Sequence, residues 1–262
     1  MIEIATPISH LFDDKKQAER LIRCSDCLEC RDRSIQAVFP DQCVFHTDIQ
    51  LVHSFSDPDV RHLEQIALRK TVLQVISFHA ATSCSDPVLN GRHYYPGGLE
   101  CSRDELLKQA NRNVNKVRSI FGDKVIIALE NNNYYPTDAY HYITDASFLT
   151  EIVKDNGLKF LFDISHARIT SLNRKMPYND YVDELPVMQT IQLHLGNFGI
   201  DERGMAFDNH DLPPDAQQWI DVRSVIKSAS ELRYLTIEYY KDIDELENLL
   251  NNARDMINEL PG

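Results

Sequence analysis

Val125-Ile126-Ile127-Ala128-Leu129-Glu130-Asn131 is a nearly continuous apolar stretch that ends in a carboxylate. A short run of this kind is typical of a strand that is buried on both faces, as in a parallel sheet covered by helices. Three later stretches repeat the design: residues 159–163 end in Asp163, residues 190–194 in His194 and residues 234–238 in Glu238. In a (β/α)8 barrel the C-terminal ends of the strands meet on one face, so these side chains are expected to converge.

Predicted strands and helices alternate along the chain. Further strands are predicted at residues 2–5, 43–48 and 72–79, and helices at about residues 15–23, 57–70, 102–121, 146–156, 178–185, 217–228 and 242–259. Seven of the eight strands of a barrel are thereby recognised, and the remaining one is expected between Gly196 and Gln217. The 262 residues, 43% of them hydrophobic, can bury one large core. We predict an α/β protein, a single (β/α)8 TIM barrel over residues 1–262 with its site at the C-terminal face of the strands.

The overall charge argues against a broad surface for nucleic acid. The chain carries a net charge of -13 and has a pI of about 5.2, whereas DNA-binding domains usually present a basic face. The sequence has no apolar run long enough to span a membrane, and its first residues lack the pattern of a signal peptide. We therefore expect a soluble, cytoplasmic protein that does not insert into membranes.

Four of the six cysteines lie close together in sequence, at Cys24, Cys27, Cys30 and Cys43. Their spacing is compatible with a metal or an iron–sulfur cluster. The alternative is that cysteines three apart share one face of an amphipathic helix as small buried hydrophobes. Both interpretations stay open, and disulfides are not expected in a reducing compartment.

Nine side chains that can bind metals form the candidate site. They are His46, His79, Glu130, Asp163, His166, His194, Asp208, His210 and Glu238. Imidazole and carboxylate ligands without thiolates suit zinc, iron or manganese. Each one alone is more often a structural histidine or a turn-capping aspartate. Six of them, however, fall at strand ends on the face where barrels keep their active sites, which predicts a site for two or three divalent metal ions.

The ordered motifs that contain these residues resemble the metal signature of the xylose-isomerase-like TIM-barrel superfamily. The motifs are Leu129-Glu130-Asn131, Asp163-Ile164-Ser165-His166, Leu193-His194-Leu195, Asp208-Asn209-His210 and Ile237-Glu238, preceded by His46 and His79. The set is similar to the trinuclear members, which include endonuclease-IV-like phosphodiesterases and multinuclear non-haem iron oxidative enzymes. The resemblance covers the chain from His46 to Glu238.

The resemblance implies how the nine ligands are shared among three metals. One metal would bind His46, His79 and Glu130; a second would bind Glu130, Asp163, His194 and Glu238; and a third would bind His166, Asp208 and His210. A carboxylate such as Glu130 can bridge two cations, which then clamp the attacking and leaving oxygens of a substrate. We take Glu130, His166 and Glu238 as the candidate catalytic residues.

The leading functional interpretation is metal-activated hydrolysis of a phosphoester or a related polar bond. DNA cleavage is disfavoured, because Gly196-Asn197 stands where endonuclease-like members usually have Asn-Asp after the sixth-strand histidine. The second interpretation is iron-dependent oxidation of a peptide or small molecule. The third is sugar isomerisation or epimerisation, for which the resemblance requires only Glu130, Asp163, His194 and Glu238.

The expected partners follow from these alternatives. The substrate is a small molecule, a sugar phosphate or a peptide, and nucleic acid is disfavoured by the charge. Arg92 and Arg168 are candidate substrate contacts, although each can equally be an ordinary surface residue. A metal-binding module without catalytic activity is the alternative outside the enzymes, and it predicts a barrel mouth that is plugged by side chains.

Overall fold

The computed structural model describes residues 1–259, in which strands and helices alternate around a closed barrel. The strands are β1 (Glu3–Pro7), β2 (Cys27–Arg31), β3 (Val44–Gln50), β4 (Val75–His79), β5 (Val88–Asn90), β6 (His93–Tyr95), β7 (Ile126–Glu130), β8 (Lys159–Asp163), β9 (Thr190–Leu195), β10 (Phe198–Ile200), β11 (Ala206–Asp208) and β12 (Tyr234–Ile237). The helices are α1 (Lys15–Cys24), α2 (Asp57–Arg69), α3 (Arg103–Phe121), α4 (Ala146–Asp155), α5 (Ile164–Arg174), α6 (Tyr178–Val182), α7 (Ala216–Ser228) and α8 (Ile243–Asn258).

Within residues 1–259, eight parallel strands close the barrel in the order β1-β12-β9-β8-β7-β4-β3-β2. The (β/α)8 fold predicted from the sequence is therefore confirmed. The connection from β2 to β3 departs from the regular pattern, since it contains only the short 3-10 helix Asp32–Ser34. The organisation of residues 1–262 as one domain stays a prediction, and its last three residues lie outside the described part of the chain.

The strand that the sequence did not reveal is β2, and the prediction that it lies between Gly196 and Gln217 is wrong. That segment instead forms the antiparallel hairpin of β10 and β11, which is separate from the barrel. Strand β2 pairs with β1 and β3. It contains Cys27 and Cys30, which one interpretation of the cysteines placed on the face of a helix. It is hard to recognise because Cys-Leu-Glu-Cys-Arg has no continuous apolar run.

A second difference concerns His166, which lies outside every helix predicted from the sequence but is in the first turn of α5. The Asp163 carboxylate caps this helix, with Oδ1 accepting a hydrogen bond from the His166 backbone N–H at 2.7 Å. The helix therefore starts directly at the end of β8. This direct transition fixes the position of His166 relative to Asp163.

The lower part of the barrel interior is filled by an apolar layer that takes one residue from each of the eight strands. The layer consists of Ala5, Cys27, Val44, Val75, Ala128, Leu161, Ile191 and Tyr234. Because side chains alternate between the two faces of a strand, the residues two and four positions later point into the same interior. These later residues include Glu29 on β2, His46 on β3 and Glu130 on β7, so the apolar layer gives way to a polar one.

The cysteines do not gather as the metal interpretation requires. Cys27 belongs to the inner apolar layer, whereas Cys30 packs with the core outside the barrel, as expected for strand positions three apart. All six cysteines are free, and within residues 1–259 no cysteine joins a group able to hold a metal. The buried-hydrophobe interpretation agrees with the burial of Cys27 and Cys30, although these two residues lie on a strand and not on a helix.

No helix among residues 1–259 combines the length and the apolar character that crossing a membrane requires.

The barrel core should determine the stability of the fold. Leu235 on β12 is 0% exposed, whereas Leu68 on α2 is 78% exposed. Leu235→Ala should lower the free energy of unfolding by about 2–5 kcal/mol, because it leaves a cavity in the core. Leu68→Ala is the matched control and should change it by less than about 0.5 kcal/mol. Urea unfolding checks both values, and equal losses for the two variants would contradict the described packing.

Candidate metal centre

Glu130 lies at the middle of the candidate site, and its two oxygens face different histidines. Oε2 is 2.9 Å from His79 Nδ1 and 3.3 Å from His46 Nε2. Oε1 is 3.3 Å from His194 Nδ1 and 3.7 Å from His166 Nδ1. Strand β7 places this carboxylate between β4 and β8, the neighbours that carry His79 and Asp163. One carboxylate therefore contacts both halves of the site.

The second cluster lies at the ends of β8, β9 and β12. The register pairs Asp163 with His194 and His194 with Thr236, and Glu238 follows two residues after Thr236, just past the end of β12. His194 Nδ1 is 3.9 Å from Asp163 Oδ2 and 3.5 Å from Glu238 Oε2. These three side chains thus surround one point beside Glu130.

The third cluster joins α5 to the end of the β10–β11 hairpin. His166 Nε2 is 3.8 Å from both Asp163 Oδ2 and Asp208 Oδ2. His210 Nε2 is 2.8 Å from Asp208 Oδ2, and His210 Nδ1 lies 3.3 Å from the Glu238 backbone oxygen. The hairpin that was expected to be a barrel strand therefore brings Asp208 and His210 to the site.

All nine predicted residues are thus brought to one end of the barrel. Within residues 1–259, three sets have ligand atoms close enough to hold an ion: His46, His79 and Glu130; Glu29, His194 and Glu238; and Glu130, Asp163 and His166. The first set coincides with the first metal position that the resemblance implies. The second contains Glu29, which sequence reasoning missed.

Each of three histidines has one ring nitrogen held by the protein, which leaves the other toward the centre. His46 Nδ1 is 2.8 Å from Ser77 Oγ, and His166 Nδ1 is 2.8 Å from the Asn131 carbonyl oxygen. His194 Nε2 is 2.9 Å from Glu29 Oε2. A carbonyl or carboxylate partner requires a proton on the nitrogen that contacts it. The opposite nitrogens of His166 and His194 are then unprotonated in the neutral ring, as metal binding requires.

The site contains polar atoms that the protein itself leaves without hydrogen bonds. Among residues 1–259, buried atoms of this kind include Glu130 Oε2, Asp163 Oδ2, His194 Nδ1 and Asp208 Oδ1. Although His79 Nδ1 is 2.9 Å from Glu130 Oε2, no aligned hydrogen bond joins them. Leaving buried polar atoms unpaired is costly, and the cost is larger for charged groups. Bound cations would satisfy all four, so the donor set fits metal ions.

The titration behaviour reflects the same crowding of charge. Burial raises the pKa of Asp163 to about 7. Burial lowers the pKa of His46 to about 4. For His210, burial alone would lower the pKa, but Glu238 and Asp208 raise it to about 9. For His194, burial is likewise outweighed by Glu238 and Glu29, which raise its pKa well above the usual value. Protons on His194 and His210 offset part of the carboxylate charge, as metals would do when bound.

Two residues of β2 complete the site and were not predicted. Glu29 accepts a hydrogen bond from Arg31 Nε at 2.6 Å, and the Arg31 guanidinium also pairs with Glu238. A sequence signal for them existed, since Cys27, Glu29 and Arg31 repeat the spacing of Tyr234, Thr236 and Glu238. It was hidden because β2 itself was not recognised.

The candidate substrate contacts differ in their surroundings. Arg168 donates its Nε–H to Asp221 Oδ2 at 2.7 Å, pairs with the same oxygen through Nη2 and lies over the Tyr178 ring, so its guanidinium is held by these contacts. Arg92 lies 3.7 Å from the centre of the Phe207 ring. It lines a cavity of about 570 Å³ that also borders Asp208 and His210. Arg92 is therefore the better placed of the two for contact with a substrate.

The same cavity bears on the prediction of a plugged mouth. It is lined by aromatic and polar side chains from several loops, among them Tyr94, Tyr135 and Tyr240. A space of this size can take part of a substrate. The described mouth is therefore open beside the third cluster, contrary to what a metal-binding module without activity would need.

Comparison with known proteins identifies relatives of similar sequence. The UPF0276 protein VV3194 of Vibrio vulnificus is 27% identical over 169 residues, which cover 63% of this chain and 57% of that protein. A UPF0276 protein of a Caulobacter species is 25% identical over 146 residues, which cover 55% of this chain and 52% of that protein. The chain thus aligns with little more than half the length of these curated relatives.

Solved structures with the same fold have little sequence in common with this chain. D-psicose 3-epimerase superposes with a TM-score of 0.56 at 12% identity, over 97% of this chain and 98% of its own. SacUVDE superposes with a TM-score of 0.54 at 12% identity, over 99% of this chain and 100% of its own. At such identities the likeness establishes the barrel fold alone.

A family model provides the more specific match, because it covers most of the candidate site. It spans residues 43–260 and describes RiPP precursor modification enzymes, which act on ribosomally made peptides. The match includes all nine predicted residues and leaves β1 and β2 outside. It confirms the resemblance to the multinuclear iron members of the xylose-isomerase-like barrels. The chain belongs to the MbnB/TglH/ChrH family of RiPP precursor modification enzymes.

Proposed function

We propose that this chain oxidises a peptide at a centre of two or three iron ions, with dioxygen as the electron acceptor. The observation that carries the proposal is the set of buried, unpaired ligand atoms on Glu130, Asp163, His194 and Asp208. Membership of a family that modifies precursor peptides supports the peptide substrate. Ligands made only of imidazole and carboxylate suit iron among other metals.

The residues that would hold the metals follow from the three clusters. His46, His79 and Glu130 would hold the first; Glu130, Asp163, His194 and Glu238 the second; and His166, Asp208 and His210 the third. Iron bound there supplies one-electron redox chemistry and the activation of dioxygen. Of the candidate catalytic residues, Glu130 would link two positions, Glu238 would bind at the second and His166 at the third.

The chain's own contacts would hold these side chains in place before any substrate binds. Asn131 bridges the strand ends, since its carbonyl oxygen faces His166 Nδ1 and its Oδ1 accepts a hydrogen bond from the Asp163 backbone N–H at 2.8 Å. Ser77 orients His46 from behind. Fixed ligand orientations raise metal affinity and reduce the rearrangement needed during reaction.

The cavity beside the third cluster would receive the peptide. Tyr135 lines this cavity, and His93 stacks on its ring with ring centres 4.1 Å apart. Arg33 and Arg92 also line it, and within residues 1–259 neither has a carboxylate within 4.0 Å. Their N–H groups would therefore be free to bind carbonyl or carboxylate oxygens of a peptide.

The other reactions have weaker support. Hydrolysis, the leading interpretation from sequence, gains nothing from the family, which modifies peptides. Epimerisation rests on a shared barrel at 12% identity. A mononuclear site for a sugar would also leave Asp208 and His210 without a purpose, although they pair at 2.8 Å on the cavity wall.

Dioxygen uptake tests the proposed reaction. The protein is reconstituted with Fe²⁺ without air and mixed with peptides translated from short reading frames beside its gene. Addition of dioxygen should be followed by its uptake and by loss of two hydrogens from the peptide for each electron pair transferred. Mass spectrometry and an oxygen electrode measure the two together. An unchanged peptide, combined with phosphodiester cleavage by the zinc- or manganese-loaded protein, would restore hydrolysis.

Glu130→Gln tests the shared ligand. Because its two oxygens face different histidines, the variant should lose more than one metal ion per chain. Metal analysis of the folded protein gives the count, with the exposed Glu64→Gln as matched control. A deficit of a single ion would show that Glu130 serves only one position.

Metal affinity should rise with pH over an unusually wide range. In the metal-free protein, the raised pKa of His210, about 9, and that of Asp163, about 7, keep protons on groups that must release them to bind a cation. Protons therefore compete with the metal below these values, and the competition fades as pH increases. Titration of the metal-free protein with Co²⁺ between about pH 6 and pH 8.5 should show increasing affinity throughout. A plateau above the ordinary histidine pKa of about 6.5 would contradict the expected proton competition.

A further inference from the structure

The inner end of the site contains a cation that belongs to the protein itself. The Arg31 side chain is 18% exposed and forms ion pairs with two carboxylates, Glu29 and Glu238. Its position on β2, two residues after Glu29, directs both side chains into the barrel. The guanidinium therefore pairs with two of the three residues, Glu29, His194 and Glu238, whose ligand atoms lie close enough together to hold a metal ion.

Glu29 has no oxygen left for a metal. Its Oε1 accepts a hydrogen bond from Arg31 Nε at 2.6 Å. Its Oε2 lies 2.9 Å from His194 Nε2 and accepts a hydrogen bond from Thr236 Oγ1 at 3.1 Å. Gln192 donates to the same oxygen. Because Glu29 is completely buried and both of its oxygens have partners, it affects the site through these partners.

Glu238 presents only one free oxygen. Oε1 pairs with Arg31 and also lies 3.3 Å from the Tyr240 hydroxyl. Oε2 remains directed at His194 Nδ1, 3.5 Å away. His194 Nδ1 is itself without a hydrogen bond in the structure. Arg31 and Glu29 thus select, from opposite sides, which atom of Glu238 and which atom of His194 face the centre.

We propose that Glu29 and Arg31 are positioning residues of opposite sign, in which Glu29 strengthens and Arg31 weakens the binding of a divalent cation between His194 and Glu238. Glu29 does so because a carboxylate that accepts the Nε2 proton of His194 makes Nδ1 a better electron donor. Arg31 does so because a buried positive charge repels a second cation and occupies one oxygen of Glu238. The inference rests on the metal centre of the proposed function, but not on oxidation or on a peptide.

This arrangement has a consequence for the chemistry of the site. With Arg31 in place, Glu29 cannot become a ligand and Glu238 cannot bind through both oxygens. The position between His194 and Glu238 is then supplied with fewer protein ligands than the nearby carboxylates could provide. The vacant coordination would be available to a substrate or to dioxygen.

Cation affinity measured on four variants tests the inference. The metal-free protein is titrated with Co²⁺, whose visible absorption reports binding, without iron, dioxygen or peptide. Glu29→Gln should weaken the affinity of the His194–Glu238 position about tenfold or more. Arg31→Met should strengthen it about tenfold or more, because one nearby positive charge is removed. Arg31→Lys keeps the charge and should bind Co²⁺ with nearly the wild-type affinity. The double variant with Glu29→Gln and Arg31→Met should have an affinity between those of these two single variants.

The direction of the change separates electrostatic positioning from a purely structural role. Damage to the site would weaken Co²⁺ binding in both single variants, and this result would overturn the inference, as would an unchanged affinity in Arg31→Met. If Glu29→Gln does not fold, the comparison of Arg31→Met with Arg31→Lys still decides the sign. No Co²⁺ binding by the wild-type protein would overturn the inference together with the metal centre. If Glu29→Gln and Arg31→Met change the Co²⁺ affinity in the expected directions but the protein does not oxidise peptides, only the proposed function is contradicted.

Discussion

Four buried carboxylates, Glu29, Glu130, Asp163 and Glu238, meet at the upper end of the barrel, and the surrounding side chains offset their charge. Arg31 neutralises part of it through Glu29 and Glu238. Protonated histidines offset a further part, which agrees with the raised pKa of His194 and His210. Several atoms still lack partners, and a folded protein rarely leaves such groups unpaired without a functional reason. This balance supports the proposal that cations bind at this end of the barrel.

The alternation of side chains along barrel strands explains how this charge is placed over an apolar base. One residue from each strand fills the lower layer, and on six of the eight strands the residue two positions later is polar. Val44 and His46 illustrate the step on β3, as do Leu161 and Asp163 on β8. The hydrophobic layer stabilises the barrel, while the polar layer above it carries the residues of the proposed metal centre. In the described part of the chain, the stabilising apolar layer and the polar layer are therefore only two strand residues apart.

The sequence allowed most of this arrangement to be predicted, and its failures have physical reasons. Buried parallel strands such as the one ending at Glu130 appear as apolar runs, so seven strands and the face that carries the site were recognisable. Strand β2 escaped because its inward positions carry Glu29 and Arg31, which break the apolar pattern. The β10–β11 hairpin was expected to be a barrel strand, yet it delivers Asp208 and His210 from outside the barrel. Which atoms pair across the site depends on tertiary contacts that no local pattern encodes.

The fold by itself does not decide among the reactions found on such barrels, since the epimerase likeness reaches only 12% identity. The positions of bound metals would help to decide among these reactions. The most direct test is anomalous diffraction at the iron absorption edge from crystals of the iron-loaded protein. We expect two or three iron peaks at the C-terminal end of the barrel, with Glu130 in contact with two of them and His194 bound through Nδ1. A single peak that Glu130 does not share, or the absence of iron from this end, would contradict this expectation.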